Sequence, residues 1–484
     1  MKEITAKFRL KLAPEAILSI FAITLVSIFV LVNFFLPFNW LVYLLCLGAA
    51  GLIIFQAPEV GLYTIIFCTI IFERWFTLQS IEWSAGIIKL YPLDLIIIFT
   101  LLSFLAYWAV KRVPIIWRDK GLGWSLWLWV GVLAVYLLAS LANGTADQAL
   151  AFSTFKNFAL YFVVYLLVIN IIKTKEQFKR LINTFLAAGI GLIYFIFYGF
   201  ISGQGMWSEF VPLSTTGTRF LAGPHSFYVA IMIILLGNIL VWRYRRSLQD
   251  YAILALVAVF VLGIVGSLQR HLWLAIILAV AILLYFYRPK HRRQFFHLLA
   301  IGIVILMIVV MVSLWFYSWN IDNNLINSEL LESAKFRFFS IFTSTSVDSS
   351  ALWRLASWHQ AWQVFSDNWL VGTGLGHTLA FEISEMEFDI EMRELHNDFI
   401  GVAVQLGLVG IFLVLNIFYR LVRKFLTAYK NLSSKYRVYF LTFFVLCIMF
   451  LWSANFGTYF DTNMLVVFFW IFLGGMTVSG RLGK

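Results

Sequence analysis

His396 opens the segment with the clearest chemical content, reading His396-Asn397, nine residues, then Gly407-Leu408-Val409-Gly410. An imidazole stands here where a long polar stretch ends and an apolar run begins. That position suits chemistry on a substrate that is half lipid and half water-soluble. The start of a helix disfavours imidazolium, so the ring is expected to stay neutral and available as a base. Asn397 and Asp398 can satisfy exposed first-turn amides. Gly407 and Gly410 have the small-residue spacing that lets a neighbouring helix approach closely, although ordinary packing explains them equally well. For His396 the competing reading is a capping or hydrogen-bonding role at the interface.

Two arginines share that setting. Arg219 lies in Gly217-Thr-Arg-Phe-Leu-Ala-Gly-Pro224, just before an apolar run, and Arg270 lies in Ser267-Leu-Gln-Arg270-His271, between two runs with almost no loop. A charge so near hydrocarbon must pair, snorkel or face water. Either residue alone reads equally well as an interfacial anchor. Two guanidinium groups on the face that carries His396 can bind phosphate oxygens in bidentate fashion, and together they can hold a diphosphate.

The elements that position these groups are membrane helices. The chain has 484 residues, 62% of them hydrophobic and 12% charged, about half the usual share of charge. Apolar runs predict an all-α polytopic membrane protein of about 12–14 transmembrane helices. Expected spans are 16–36, 40–55, 59–72, 93–110, 122–142, 155–172, 180–201, 224–242, 250–268, 270–287, 298–319, 397–420, 437–457 and 460–479. The run from Ala16 to Leu36 is too long for a cleavable leader and lacks a small-residue cleavage site, so it reads as an uncleaved first helix. With the N-terminus cytoplasmic, alternate connections hold 27 of the 36 Lys and Arg residues. The opposite face holds 18 of the 24 acidic residues. This is the positive-inside pattern, with both termini cytoplasmic. The net charge of +12 is therefore a topology signal, and short juxtamembrane basic turns argue against nucleic acid. Cys46, Cys68 and Cys447 sit in apolar runs without metal or disulfide spacing.

Three segments follow: 1–319 with the first eleven helices, 320–395 as one large outer-face loop, and 396–484 with the last three helices. In the loop, Ala351, Leu355, Trp358, Trp362, Phe365 and Trp369 recur at helical spacing, with Asp348 to Ser350 as N-cap candidates. Such a Trp-rich face suits the membrane interface or the top of the bundle. Gly372-Thr-Gly-Leu-Gly376 ends that helix as a turn. No Lys-Ser/Thr follows it, so it is not a nucleotide loop. The acidic stretch from Glu382 to Glu394 reads as a solvated face. His359 and His377 lack zinc spacing, and no metal site is expected.

Taken together, these residues resemble the O-antigen ligase and Wzy-type polymerase superfamily of bacterial lipid-linked glycan transferases. Its motif, His, then Asn, Ser or Gln, nine residues, Gly, two residues, then Gly, Thr or Tyr, is met in full by residues 396–410. Arg354-Leu-Ala-Ser-Trp358, the glycine turn at Gly372, Gly374 and Gly376, and the outer-face Arg219 and Arg270 look like further family features. The resemblance covers residues 215–420, and it departs at His225, where the family usually has Asn. It implies a GT-C-like fold and a glycan donor carried on undecaprenyl diphosphate. The acceptor would be a lipid A core or another glycan, with transfer on the periplasmic face of the bacterial inner membrane. It further implies no cofactor and no metal. His396 would be the base, Arg219 and Arg270 the diphosphate ligands, and Arg354 either a third ligand or a brace for the loop. Asn397 and the five glycines Gly372, Gly374, Gly376, Gly407 and Gly410 would support them.

Three other readings compete. A Wzy-type polymerase of repeat units needs the same head group and base. A metal-dependent oligosaccharyltransferase would draw on Glu73, Glu82 and Asp94. A lipid-linked glycan flippase, which is no enzyme, would gather charges near the bilayer midplane, whereas here they gather at one face.

Overall fold

The computed structural model describes every residue except 1–12, 37–38, 74–80, 84–87, 113, 118, 120, 145, 203–220, 321–348 and 384–385. Arg219 and Asp348 lie outside the described residues. Among those described, the protein is almost wholly helical, with 11 helices long and apolar enough to cross a membrane and three shorter apolar ones. It is an all-α, multi-pass membrane protein.

The helices are α1 (Pro14–Phe35), α2 (Trp40–Gln56), α3 (Pro58–Phe72), α4 (Pro92–Lys111), α5 (Gly123–Asn143), α6 (Gln148–Phe155), α7 (Phe162–Ile171), α8 (Lys175–Ser202), α9 (Gly223–Arg243), α10 (Leu248–Gly266), α11 (Arg270–Phe286), α12 (Pro289–Asn320), α13 (Ser349–Asp367), α14 (Asp398–Tyr429), α15 (Ser434–Ser453) and α16 (Asn463–Leu482). A π-turn, Lys156–Leu160, joins α6 to α7, and the expected span 155–172 covers the π-turn and α7, with α6 extending the helical stretch before it. The three short helices are Leu41–Gln56, Pro58–Phe72 and Arg270–Phe286, and each fills an expected span.

The chain forms two compact units. The first holds residues 1–81, 90–116 and 167–188. In it Arg180 donates to Glu59 at 2.8 Å and lies 3.6 Å from Glu15. Asp94 accepts from the Tyr91 amide at 2.9 Å, capping its own helix.

The second unit holds residues 82–89, 117–166 and 189–484, and with them the candidate site. Its centre is α9, α15 and α16, whose side chains are nearly all buried. Phe227, Phe260, Phe450, Phe468 and Trp470 fill it. Charge reaches the interior where it is paired: Lys424 donates to Asp119 and to Thr477, each at 2.7 Å. The Lys424 ammonium and flanking amides hold the Asp119 carboxyl below its ordinary range, against the upward push of burial.

Two short hairpins depart from the purely helical expectation. β1 (Ile81–Trp83) pairs with β2 (Ile88–Leu90), and β3 (Thr378–Ile383) pairs antiparallel with β4 (Met386–Glu391). The second occupies the stretch expected to be a plain acidic face. Its alternation is two-residue, apolar then acidic, so Leu379 and Phe381 turn inward while Glu382 and Asp389 stand on the opposite face of the pleat. Phe381 stacks on Phe388 at 5.5 Å.

The helix expected over 351–369 forms as α13, Ser349–Asp367. Trp353, Ser357 and Ala361 are buried, whereas Leu355, Trp362 and Trp369 are exposed. They continue into exposed Leu370, Val371, Leu408 and Phe412, an apolar band suited to lipid.

Candidate active site

The site is built at one end of the second unit, where α9, α11, α14 and α16 begin and α15 ends. His396 lies one residue before the cap of α14 and has a positive φ of 51°. That geometry turns the chain sharply out of the hairpin and into the helix. Its ring lies edge-on to Trp353 at 5.3 Å, and Trp358 donates to the Leu395 carbonyl at 2.8 Å. Two turns of α13 therefore seat the segment that carries the imidazole. Trp353 itself is buried against Leu379, Phe381, Met392 and Leu395.

Asn397 caps α14, accepting from the amides of Phe399 and Ile400 at 3.1 Å each. Asp398 does not share that work. Its Oδ2 accepts from the amides of Tyr459 and Phe460 at 2.8 and 2.9 Å, and its own amide donates to the Ala454 carbonyl at 2.9 Å. The carboxylate thus ties the turn at 454–462 to the start of α14. The same turn reaches α11, because the Tyr459 hydroxyl meets His271 Nε2 at 3.0 Å. Arg270, the first residue of α11, is half-buried beside it. Its helix enters from a tight turn in which Leu268 has φ 56° and Gln269 donates to Ser226 at 3.4 Å. Arg354 follows Trp353 on α13 and is half-buried too. His225 is fully buried on α9, 4.3 Å from the Phe195 ring.

The glycines have a definite purpose. α14 is broken at Gly407, where φ is 60° and ψ is −152°. This frees backbone groups that a straight helix would use internally. Thr373 and Gly374 donate to the carbonyls of Val404 and Gln405 at 3.0 Å, and Leu408 donates to Trp369 at 2.9 Å. The Tyr136 hydroxyl reaches Val371 at 2.8 Å and Leu406 at 3.3 Å. The glycine turn is therefore plugged into the break. A Cβ at Gly407 would stand 2.5 Å from the Leu370 carbonyl, and one at Gly376, 2.5 Å from the Asp147 carbonyl. Gly372, Gly374 and Gly376 all have positive φ and bring the loop onto α5 and α6, where Leu375 donates to Ser140 at 2.9 Å. Gly410 packs on Val402 and Leu406 of its own helix. The close approach expected of a neighbouring helix is instead that of a loop.

A second charged group, missing from the sequence reading, sits beside this end. Arg393 contacts Glu391, donates to Ser153 at 2.8 Å, and lies 3.3 Å from Asp461. Asn157, in the π-turn, donates to the Asp461 carbonyl. Burial pushes the Asp461 carboxyl up to about 7, with Arg393 opposing. Burial and the neighbouring Glu391 likewise raise Glu394. Below this layer, a cavity of about 480 Å³ is lined by Phe158, Asp398, Val402, Ile411, Trp452, Asn455, Phe460 and Trp470, among others. Its lining is apolar apart from Asp398 and Asn455.

Arg270, Arg354, His396 and the apolar cavity all belong to the second unit of this multi-pass bundle. The family profile described as O-antigen ligase matches residues 254–415, so over that stretch the chain is similar to that family. The matched residues include Arg270, Arg354, the glycine turn and the whole His396–Gly410 motif. No curated protein matches the chain.

Proposed function

We propose that the protein is a glycosyltransferase of O-antigen ligase type. It moves a glycan from undecaprenyl diphosphate to an acceptor hydroxyl at the periplasmic face of the bacterial inner membrane, with both termini cytoplasmic. His396 removes the acceptor hydroxyl proton while that oxygen forms a bond to the anomeric carbon from the side opposite the leaving group. The bond from that carbon to the diphosphate oxygen breaks in the same step, and undecaprenyl diphosphate leaves with the electron pair. A single displacement inverts the anomeric centre. Arg270 and Arg354, with Arg219 from outside the described residues, neutralise charge growing on the diphosphate. The step needs no metal and no nucleotide sugar. The cavity under Asp398 suits the first isoprene units of the donor.

The observation that carries this reading is the meeting of three chain segments at one end of the bundle: the start of α14, which His396 precedes, the start of α11, which Arg270 opens, and the turn that bonds to Asp398 and His271. The test is transfer by purified protein from an undecaprenyl-diphosphate oligosaccharide to a lipid A core in EDTA. A product lost in His396→Ala supports the ligase. A ladder of lengthening glycans without acceptor makes it a polymerase of lipid-linked repeats. Donor movement across sealed vesicles without any transfer would make it a flippase.

A further inference from the structure

The proposed chemistry makes no direct use of His271, Tyr459 or Asp398, yet these three form one continuous connection through the site. Asp398 lies two residues after His396 and is 2% exposed. Two amides of the 454–462 turn converge on its Oδ2, and its own amide is spent on Ala454. Such doubled bonding leaves the turn little freedom relative to the start of α14. Tyr459 is held as firmly. Its ring meets Phe227 and Phe450 edge-on at 5.2 and 5.5 Å, and its hydroxyl ends on His271. A phenol so deeply buried requires a partner. Burial holds it above its ordinary value, so it keeps its proton.

We propose that Asp398, Tyr459 and His271 are positioning residues that set Arg270 relative to His396, and so hold the donor diphosphate at a fixed distance from the base. The assignment rests on the function proposed above. Its physical motive is that an in-line displacement tolerates little misplacement: an error of about 1 Å can cost roughly a hundredfold in rate. Arg270 opens α11 and His396 precedes the cap of α14, and the two helices are not continuous. A bond across the gap restrains one helix start relative to the other. The chain Asp398–Tyr459–His271 supplies it, and it joins backbone to side chain at one end and side chain to side chain at the other.

The test is a double-mutant cycle on purified full-length protein with an undecaprenyl-diphosphate oligosaccharide as donor, following kcat, donor KM and thermal unfolding. Tyr459→Phe should fold normally and lose roughly ten- to a hundredfold in kcat. Combined with Arg270→Ala it should cost no more than Arg270→Ala alone, because the contact it serves is already gone. His271→Gln, which keeps a group able to meet the hydroxyl, should recover most of the rate lost in His271→Ala. This pair carries the test if the Phe variant folds poorly. Fully additive losses, or wild-type kinetics in Tyr459→Phe and His271→Ala while His396→Ala and Arg270→Ala are inactive, would overturn the positioning role and leave the function standing. Normal turnover by His396→Ala and Arg270→Ala would instead remove the functional reading itself.

Discussion

Replacing Gly407 by alanine tests the architecture at its most demanding point. The residue has φ 60° and ψ −152°, a combination that side chains with a Cβ rarely adopt and that costs about 1–3 kcal/mol to impose. The added methyl would stand 2.5 Å from the Leu370 carbon and oxygen and 2.7 Å from the Gly372 amide nitrogen. These are backbone atoms of a loop pinned to α14, so neither side can yield by a rotamer change. Relief requires withdrawing the loop and losing the bonds from Thr373, Gly374 and Leu408, each contributing about 1 kcal/mol. The combined destabilisation is roughly 4–6 kcal/mol. The assay is thermal unfolding in detergent beside Gly48→Ala, a helical position with nothing within 4 Å of the added Cβ. Gly48→Ala should match or slightly exceed the parent. Gly407→Ala should unfold many degrees lower or fail to accumulate, with Gly410→Ala falling between. An unchanged midpoint for Gly407→Ala would refute the break in α14 and the docking of the glycine turn into it.

Further outcomes follow from the site. His396→Ala and Arg270→Ala should insert and unfold like the parent yet lose transfer by at least about a hundredfold. Arg270→Lys should restore little of it, since a point charge cannot reproduce a bidentate contact; near-parental rates for the lysine variant would exclude that geometry. Asn397→Ala should lower stability by about 1 kcal/mol through loss of the α14 cap, and Asn397→Asp should not, as denaturant unfolding will show. Asp461 has a folded value near 7 against an ordinary one near 4. Because it is raised, its contribution is fully present below about pH 4 and is lost as pH rises through about 7. Asp461→Asn should therefore flatten the pH dependence of the unfolding midpoint across that window, and an unaltered slope would assign the dependence elsewhere.

The sequence carried the membrane helices well because hydrocarbon imposes length and composition on each span. The expected spans 59–72 and 270–287 became the short helices Pro58–Phe72 and Arg270–Phe286. The His396–Gly410 motif was legible as spacing, and Asn397 caps α14 as the reading allowed. What spacing could not convey was the use of the glycines, since Gly407 and Gly410 suit close helix packing and a broken helix equally well. Arg393 and Asp461 were missed for a related reason. Arg393 stands between Glu391 and Glu394, which looks like solvated surface, and Asp461 lies in a short turn with no motif around it. Their burial arises from contacts with Ser153 and Asn157, more than 200 residues away in the chain. The two-residue alternation from Thr378 to Glu391 did announce a hairpin, but it was masked by its acidic content.

Transfer from a defined undecaprenyl-diphosphate oligosaccharide, with and without a lipid A core acceptor, in EDTA and beside His396→Ala, tests the central claim most directly. The account predicts an inverted glycosidic linkage on the acceptor from the parent protein, and none from the variant. Transfer that stops on chelation, or that persists in His396→Ala, would contradict it.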